Sequence, residues 1–190
     1  MRSILVTTVR LSVAVAALLA TSVLAPPVGA GAASAKEFRA RDDCDPATFN
    51  AALGPGACIG NGNTTVDEFN DELDRRGSVN AWKYNPDQTN LNAGDTAVVV
   101  NRGGETHTFT QVARFGGGFV AGLNEASGNP VPAPECATIA ANGSLVPVPA
   151  SPTNLFVAAH TQVPSPALAR GTTNFQCCIH PWMRIQVTQR

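Results

Sequence analysis

Three residue types that bind soft metal ions stand within seven positions near the C-terminus: Cys177, His180 and Met183, in the run Cys177-Cys178-Ile179-His180-Pro181-Trp182-Met183. A second imidazole, His107, lies far upstream. Two imidazoles, a thiolate and a weak axial thioether are the donor set of a trigonal copper site. Soft sulfur with imidazole selects copper, Cu(I) above all, over cations that prefer oxygen. Zinc also accepts Cys and His, but thioether is a poor zinc ligand, so Met183 tips the choice to one copper ion. Such a site leaves no open strong position for a substrate. It cycles between Cu(II) and Cu(I) with little rearrangement, which is electron-carrier chemistry rather than enzyme chemistry.

Taken singly, each residue has an ordinary reading. Cys177 would be half of a disulfide, the common fate of a cysteine in an exported chain. Met183 would be a core residue at the start of a strand, and His180 a surface histidine. The combination at ligand spacing, with an odd total of five cysteines, lifts it above those readings.

Positioning these groups calls for a strand pair closed by a tight loop. From Ser78 onward, short runs of β-branched and aromatic residues are broken by Gly, Pro and Asn, the texture of a β-sandwich. Candidate strands are Val79 to Tyr84, Asp95 to Asn101, Thr106 to Val112, Ser144 to Val148, Asn154 to His160, Thr173 to Cys178 and Arg184 to Gln189. Neighbouring residues on a strand point to opposite faces, so Cys177 and Cys178 cannot both face a metal. Cys177 is chosen because it gives Cys-x-x-His; the opposite assignment stays open. Cys178, facing away, is then free to pair with Cys136 and pin the breaker-rich stretch between Arg114 and Asn142. The other two cysteines, Cys44 and Cys58, would close a short loop worth about 3 kcal/mol in the chain-entropy model.

The segment Gly171-Thr-Thr-Asn-Phe-Gln-Cys177-Cys-Ile-His180-Pro-Trp-Met183-Arg-Ile-Gln-Val resembles the C-terminal copper loop of the cupredoxin family, and its Cys-x-x-His-x-x-Met spacing is similar to the short loop of the amicyanins. Upstream, Asn92-Ala93-Gly94-Asp95-Thr96 and then Val100-Asn101-Arg102 through His107 resembles the strands that lead to the family's first histidine ligand. The likeness covers about Ser78 to Arg190. It departs at Cys178, where the family has a small or polar residue, and at Thr108, where Asn is frequent. The resemblance implies an all-β Greek-key sandwich and a type 1 blue-copper electron carrier with His107, Cys177, His180 and Met183 as ligands. It also implies that His180 reaches the surface as the electron port. Redox proteins would then dock through a small apolar patch around it, rimmed by Pro181 and Trp182.

The N-terminus has the form of an export signal. Arg2 and Arg10 precede an apolar run from Leu11 to Ala25, and small residues end in Ala33-Ser34-Ala35. That pattern gives a secretory signal over 1–35, cleaved after Ala35, and a periplasmic or extracellular protein with no membrane span after cleavage. Without Arg2 and Arg10, 11 Lys+Arg face 14 Asp+Glu, a net charge of −3 with no basic stripe, which excludes nucleic acid as a natural partner. Residues 36–77 read as an extension before a copper-binding domain over 78–190. Within it Lys36 to Asn63 is irregular and stapled by Cys44 and Cys58. Thr65-Val66-Asp67-Glu68 has the form of a capping box opening one short amphipathic helix that Gly77 can end.

Two other function classes compete with the electron carrier. A multicopper oxidase needs further histidine-built centres, and the chain has three histidines, the third being His160 at the end of a candidate strand. A protein that stores or delivers copper with the same fold is the closer rival to the carrier.

Overall fold

Alternation of apolar and polar residues drives the main segments of the chain into strands, and the computed structural model, which describes residues 35–190, shows most of these strands paired into two facing sheets. In chain order the elements are β1 (Ala35–Arg41), α1 (Pro46–Leu53), α2 (Val66–Arg76), β2 (Lys83–Asn85), β3 (Gln88–Leu91), β4 (Thr96–Asn101), β5 (His107–Val112), α3 (Ala121–Ala126), β6 (Ala137–Ile139), β7 (Leu145–Pro147), β8 (Asn154–Val157), β9 (Gln162–Pro164), β10 (Gly171–Gln176) and β11 (Arg184–Gln189). One sheet has the order β2-β1-β4-β9 and the other β3-β11-β10-β5-β8, with β6 and β7 forming a separate hairpin. The β1–β4 and β3–β11 pairs are parallel and the other pairs antiparallel. The expected signal over 1–35 lies outside the described residues except for Ala35, which opens β1.

Aromatic rings join the two sheets. Phe38 of β1 stacks on Phe109 of β5 at 5.5 Å between centroids, and Phe109 stacks on Phe175 of β10 at 4.3 Å. Tyr84 of β2 meets Phe109 edge-on. These four side chains are buried in one core with Trp82, Leu91, Val99 and Ile185. Each buried large side chain contributes about 1.5–3 kcal/mol of apolar transfer, so this column is a main source of cohesion between the layers.

The segment expected to be irregular from Lys36 to Asn63 instead contains β1 and α1, and this corrects the reading of 36–77 as a mere extension. β1 is an inner strand of the sandwich, hydrogen-bonded to β2 on one side and β4 on the other. The described residues fall within one compact unit, with no boundary at 77. The strand alternates Phe38 and Ala40 inward with Arg39 and Arg41 outward, so its charges obscure its apolar face. α1 starts on Asp45, whose side chain accepts from Thr48 N–H, with Pro46 in the first turn. α2 has the expected capping box between Thr65 and Glu68 and ends at Gly77 with φ 67°, a left-handed conformation that glycine adopts without strain. Among the described residues no helix is long and apolar enough to cross a membrane.

Candidate metal centre

β10 runs between β5 and β11, which places the end of β10 beside the start of β5. His107 is the first residue of β5, and Cys177 follows the last residue of β10. A tight turn then returns the chain to β11: Met183 N–H donates to His180 O at 2.9 Å, and Cys177 N–H donates to Met183 O at 3.0 Å. Those two bonds fold the Cys-x-x-His-x-x-Met spacing back on itself. Met183 is buried in the same core as Cys177.

The result brings His107, Cys177 and His180 together, all buried, with their ligand atoms within 4.8 Å of one another. Cys177 Sγ lies 3.9 Å from His107 Nδ1 and 3.9 Å from His180 Nδ1. An ion holding sulfur at about 2.3 Å and nitrogen at about 2.0 Å, as zinc does, separates two such ligands by about 3.7 Å at a trigonal angle. The two sulfur–nitrogen distances therefore fit ligands that share a first-row metal ion. Thr108 N–H points at Cys177 Sγ from 3.4 Å, a backbone donor of the kind that tunes a bound thiolate. Burial opposes ionisation of Cys177, but hydrogen bonds from both imidazoles and their charge overcome it and hold the thiol well below its usual pKa. Metal ligands must be deprotonated, so this is the state a metal requires.

The second cysteine of the pair serves the opposite face. Cys178 is bonded to Cys136 and Cys44 to Cys58, while Cys177 is free and buried. Cys178 N–H donates to Thr108 Oγ1 at 2.7 Å, so Thr108 grips both cysteines, one through its amide and one through its hydroxyl. The long stretch after Arg114 is held here twice more. Phe119 N–H donates to Cys178 O at 2.8 Å, and the Gln176 side-chain carbonyl accepts from Gly116 N–H at 3.0 Å. Gly118 must be glycine at this crossing, since a Cβ would stand 1.8 Å from Cys178 O.

His180 does not reach the surface as the resemblance implied. It is 3% exposed, and Pro181 beside it is buried. Its ring lies 6.3 Å from Phe69 of α2, 6.4 Å from Trp82 and 5.5 Å from Trp182. The physical reason is that α2 must bury Phe69 and Leu73 somewhere, and Phe69 does so against the metal end of the sandwich. Of the three expected port residues, Trp182 alone is half-buried rather than buried. An apolar cleft of about 330 Å³, lined in part by Phe49, Leu53, Phe69, Leu123 and Ile179, leads in to His180.

Two carboxylates stand behind the imidazoles, and neither figured among the expected site residues. Glu105 Oε2 lies 3.6 Å from His180 Nε2 and accepts from Trp82 Nε1 at 2.5 Å. Burial raises its pKa, against the opposing pull of His180 and the Trp82 hydrogen bond. Asp42 Oδ2 lies 2.8 Å from His107 Nε2, with no exposure of its side chain. Burial disfavours the Asp42 carboxylate, but hydrogen bonds from His107, Gly104 N–H and Glu105 N–H outweigh it and hold the pKa below the usual value. Burial likewise disfavours charge on His107, yet Asp42 and Cys177 raise that imidazole to about 9. Asp42 sits 65 positions from His107, so no local spacing announces it. The indirect signal was Gly103-Gly104, a glycine pair just before a ligand, which marks a close backbone approach.

No protein-family model matches the chain, and no curated protein matches it. Among solved structures it is similar to a purple cupredoxin from Nitrosopumilus maritimus, with 13% identity and a TM-score of 0.39 over 82% of this chain and 99% of that one. It is also similar to a Cu(I) form of an amicyanin variant, with 17% identity and a TM-score of 0.33 over 57% of this chain and 73% of that one. A reduced amicyanin variant gives 18% identity and a TM-score of 0.34 over 60% and 78%. Likenesses this distant assign no residue a role; strand order defines the fold here, and the site stands on its own atoms.

Proposed function

We propose that the chain is an exported mononuclear type 1 copper protein of the cupredoxin kind that carries single electrons. The observation that carries this reading is the buried triad in which Cys177 Sγ stands 3.9 Å from each of two imidazole Nδ1 atoms, with a backbone N–H aimed at the sulfur. His107, Cys177 and His180 are the strong ligands in this reading and Met183 the weak axial one. Copper bound there supplies one-electron exchange between Cu(II) and Cu(I). The chain's part is to hold the ligands in a geometry both oxidation states accept, through the turn bonds at Cys177 and Met183 and the strand pairing of β5 with β10. The three strong ligands are buried, and the cleft that reaches His180 is lined mainly by apolar side chains, which offer a substrate little to bind. Burial of all three favours a carrier over a store or delivery protein, whose ligands an acceptor must reach.

Export is supported by the two disulfides, which persist in oxidising compartments. Since His180 is covered, we place the electron exit at Trp182, the half-buried ring beside it, and at the mouth of the apolar cleft. A redox protein would dock there through a small interface.

The test is a visible and electron paramagnetic resonance spectrum of copper-loaded protein, alone and as Cys177→Ser. The expected result is an intense red-absorbing thiolate-to-copper band that the substitution abolishes. Colourless copper-loaded protein, or a band that survives the substitution, overturns the ligand assignment. Ready loss of copper to a chelator during reduction would favour delivery instead.

A further inference from the structure

We infer that Asp42 is a positioning residue for the metal centre: it fixes His107 with Nε2 protonated and Nδ1 turned to Cys177, and its negative charge favours the higher oxidation state of the bound ion. The inference rests on the copper reading above. Its first support is geometry. Asp42 Oδ2 takes the His107 Nε2 proton at 2.8 Å and Glu105 N–H at 3.1 Å, while Oδ1 takes Gly104 N–H at 2.8 Å and Cys44 N–H at 3.4 Å. With Nε2 keeping its hydrogen for Asp42, Nδ1, on the Cys177 side, is the nitrogen left to give its lone pair to an ion.

The second support is that the surrounding chain is shaped for this side chain. A Cβ on Gly103 would stand 1.8 Å from Asp42 Oδ2, and one on Gly104 would stand 2.4 Å from Gly60 N and 2.7 Å from Cys44 Sγ. Both glycines open the slot into which the segment after β1 presses. That segment is fixed on either side of Asp42, by Arg102 N–H donating to Ala40 O at 2.8 Å and by the Cys44–Cys58 disulfide.

The third support is energetic. The backbone donors around Asp42 are neutral, so the group that offsets the burial of its charge is the His107 imidazole, polarised by whatever lies on the far side of its ring. Both carboxylate oxygens accept here, so an amide side chain would set its own NH2 against N–H donors. A carboxylate at this place makes sense if His107 passes its charge to an ion on the far side of the ring. A negative charge near the ion stabilises the dipositive state more than the monopositive one, because the attraction scales with the ion's charge.

The experiment compares wild type, Asp42→Asn and Asp43→Asn as full-length copper-loaded proteins. Asp42→Asn keeps the shape and removes the charge. Asp43→Asn removes the same charge one residue on, where the carboxylate meets Thr64 rather than an imidazole. Partners behind metal-bound histidines typically alter metal affinity about 10–100-fold. The expected result for Asp42→Asn is a fall of about tenfold in the ratio of Cu(II) to Cu(I) affinity, a rise of about 59 mV in midpoint potential for one electron. Asp43→Asn should leave the potential unmoved. In metal-free wild type, the His107 Nε2 proton should appear far downfield in the proton NMR spectrum, and in Asp42→Asn it should move upfield. Should Asp42→Asn fail to fold, the wild-type proton decides: a downfield signal supports the inference and its absence overturns it. An unmoved potential in folded Asp42→Asn, or equal shifts in both variants, overturns the inference alone. Wild type that takes up no copper overturns the function reading and this inference with it.

Discussion

The two ends of the described chain serve the metal centre in opposite ways. The C-terminal turn supplies three of the four proposed ligands from seven consecutive residues, and two backbone hydrogen bonds within the turn shape it. The N-terminal part, from β1 through α2, supplies no ligand. It supplies what lies behind and above the ligands: Asp42 on His107, and Phe69 over His180. One region works through spacing along the chain, the other through packing across the fold. A ligand cluster can be encoded locally, whereas its charge, its exposure and its access to partners are set by chain far away in sequence. The covered His180 is the clearest case. Phe69 of α2 packs over its ring together with Trp82 and Trp182.

If the N-terminal part is integral, damage there should cost as much as damage to any core strand. Phe38→Ala removes a ring stacked on Phe109 in the facing sheet, and the expected loss is about 3–5 kcal/mol. Thermal unfolding of the metal-free protein checks it, with a fall of about 10 °C or more expected for a domain this size. A loss under about 1 kcal/mol, the range of a surface substitution, would return β1 to the status of a dispensable extension. Next in size is the Cys44–Cys58 bridge. Replacing both cysteines with Ala should cost about 3 kcal/mol by the loop-entropy argument. Because neither sulfur touches the ligands, the copper band should persist below the lowered melting temperature. A band lost at temperatures where the variant is folded would show that the staple, and not only Asp42, sets the site.

Gly103→Ala sharpens the comparison further, since it leaves every charged and ligand residue in place. Its Cβ must displace Asp42 or the Gly103 backbone, and such overpacking typically costs about 1–3 kcal/mol. The expected signature is a raised midpoint potential with the ligand set unchanged, in the same direction as Asp42→Asn. Unfolding curves together with a potential measured on the folded protein separate the two effects.

These contrasts explain what could be read from the residues beforehand. The division of the cysteine pair was legible because neighbouring residues leaving a strand face opposite ways; β10 ends at Gln176, one residue before the pair, yet Cys177 is free and Cys178 is bonded to Cys136. The capping box at Thr65 and Glu68 was legible because it is a contact between residues three apart. β1 was not, since Lys36, Arg39 and Arg41 mask the two inward residues Phe38 and Ala40. α1 buries a single residue, Phe49, so it has almost no apolar periodicity to detect. Asp42 carried no local mark at all. For His180 the signal is α2 itself: an amphipathic helix with Phe69 and Leu73 on one face needs a partner surface, and the metal end of the sandwich is part of it.

The smallest effect tests the cover itself. Thr65 Oγ1 accepts Glu68 N–H, and the Glu68 carboxylate accepts Thr65 N–H, so the first turn of α2 is fastened at the end nearest Phe69. Thr65→Ala should cost about 1 kcal/mol. For a chain of this length that is about 2–4 °C of melting temperature. The pH dependence follows from the same bonds. Hydrogen bonds from Thr65 hold the Glu68 pKa below its usual 4.5, so the carboxylate contributes stability above that value and loses it as pH falls through the lowered one. Thr65→Ala should therefore narrow the acid-side loss of stability relative to wild type, and the difference between the two proteins should shrink below pH 4.5. Hydrogen exchange at Phe69 N–H, bonded to Thr65 O at 2.9 Å, reads the same event locally. Faster exchange there with an unchanged copper band would mean that the cover loosens while the ligand turn stays closed, which is the division between the two regions that the packing predicts.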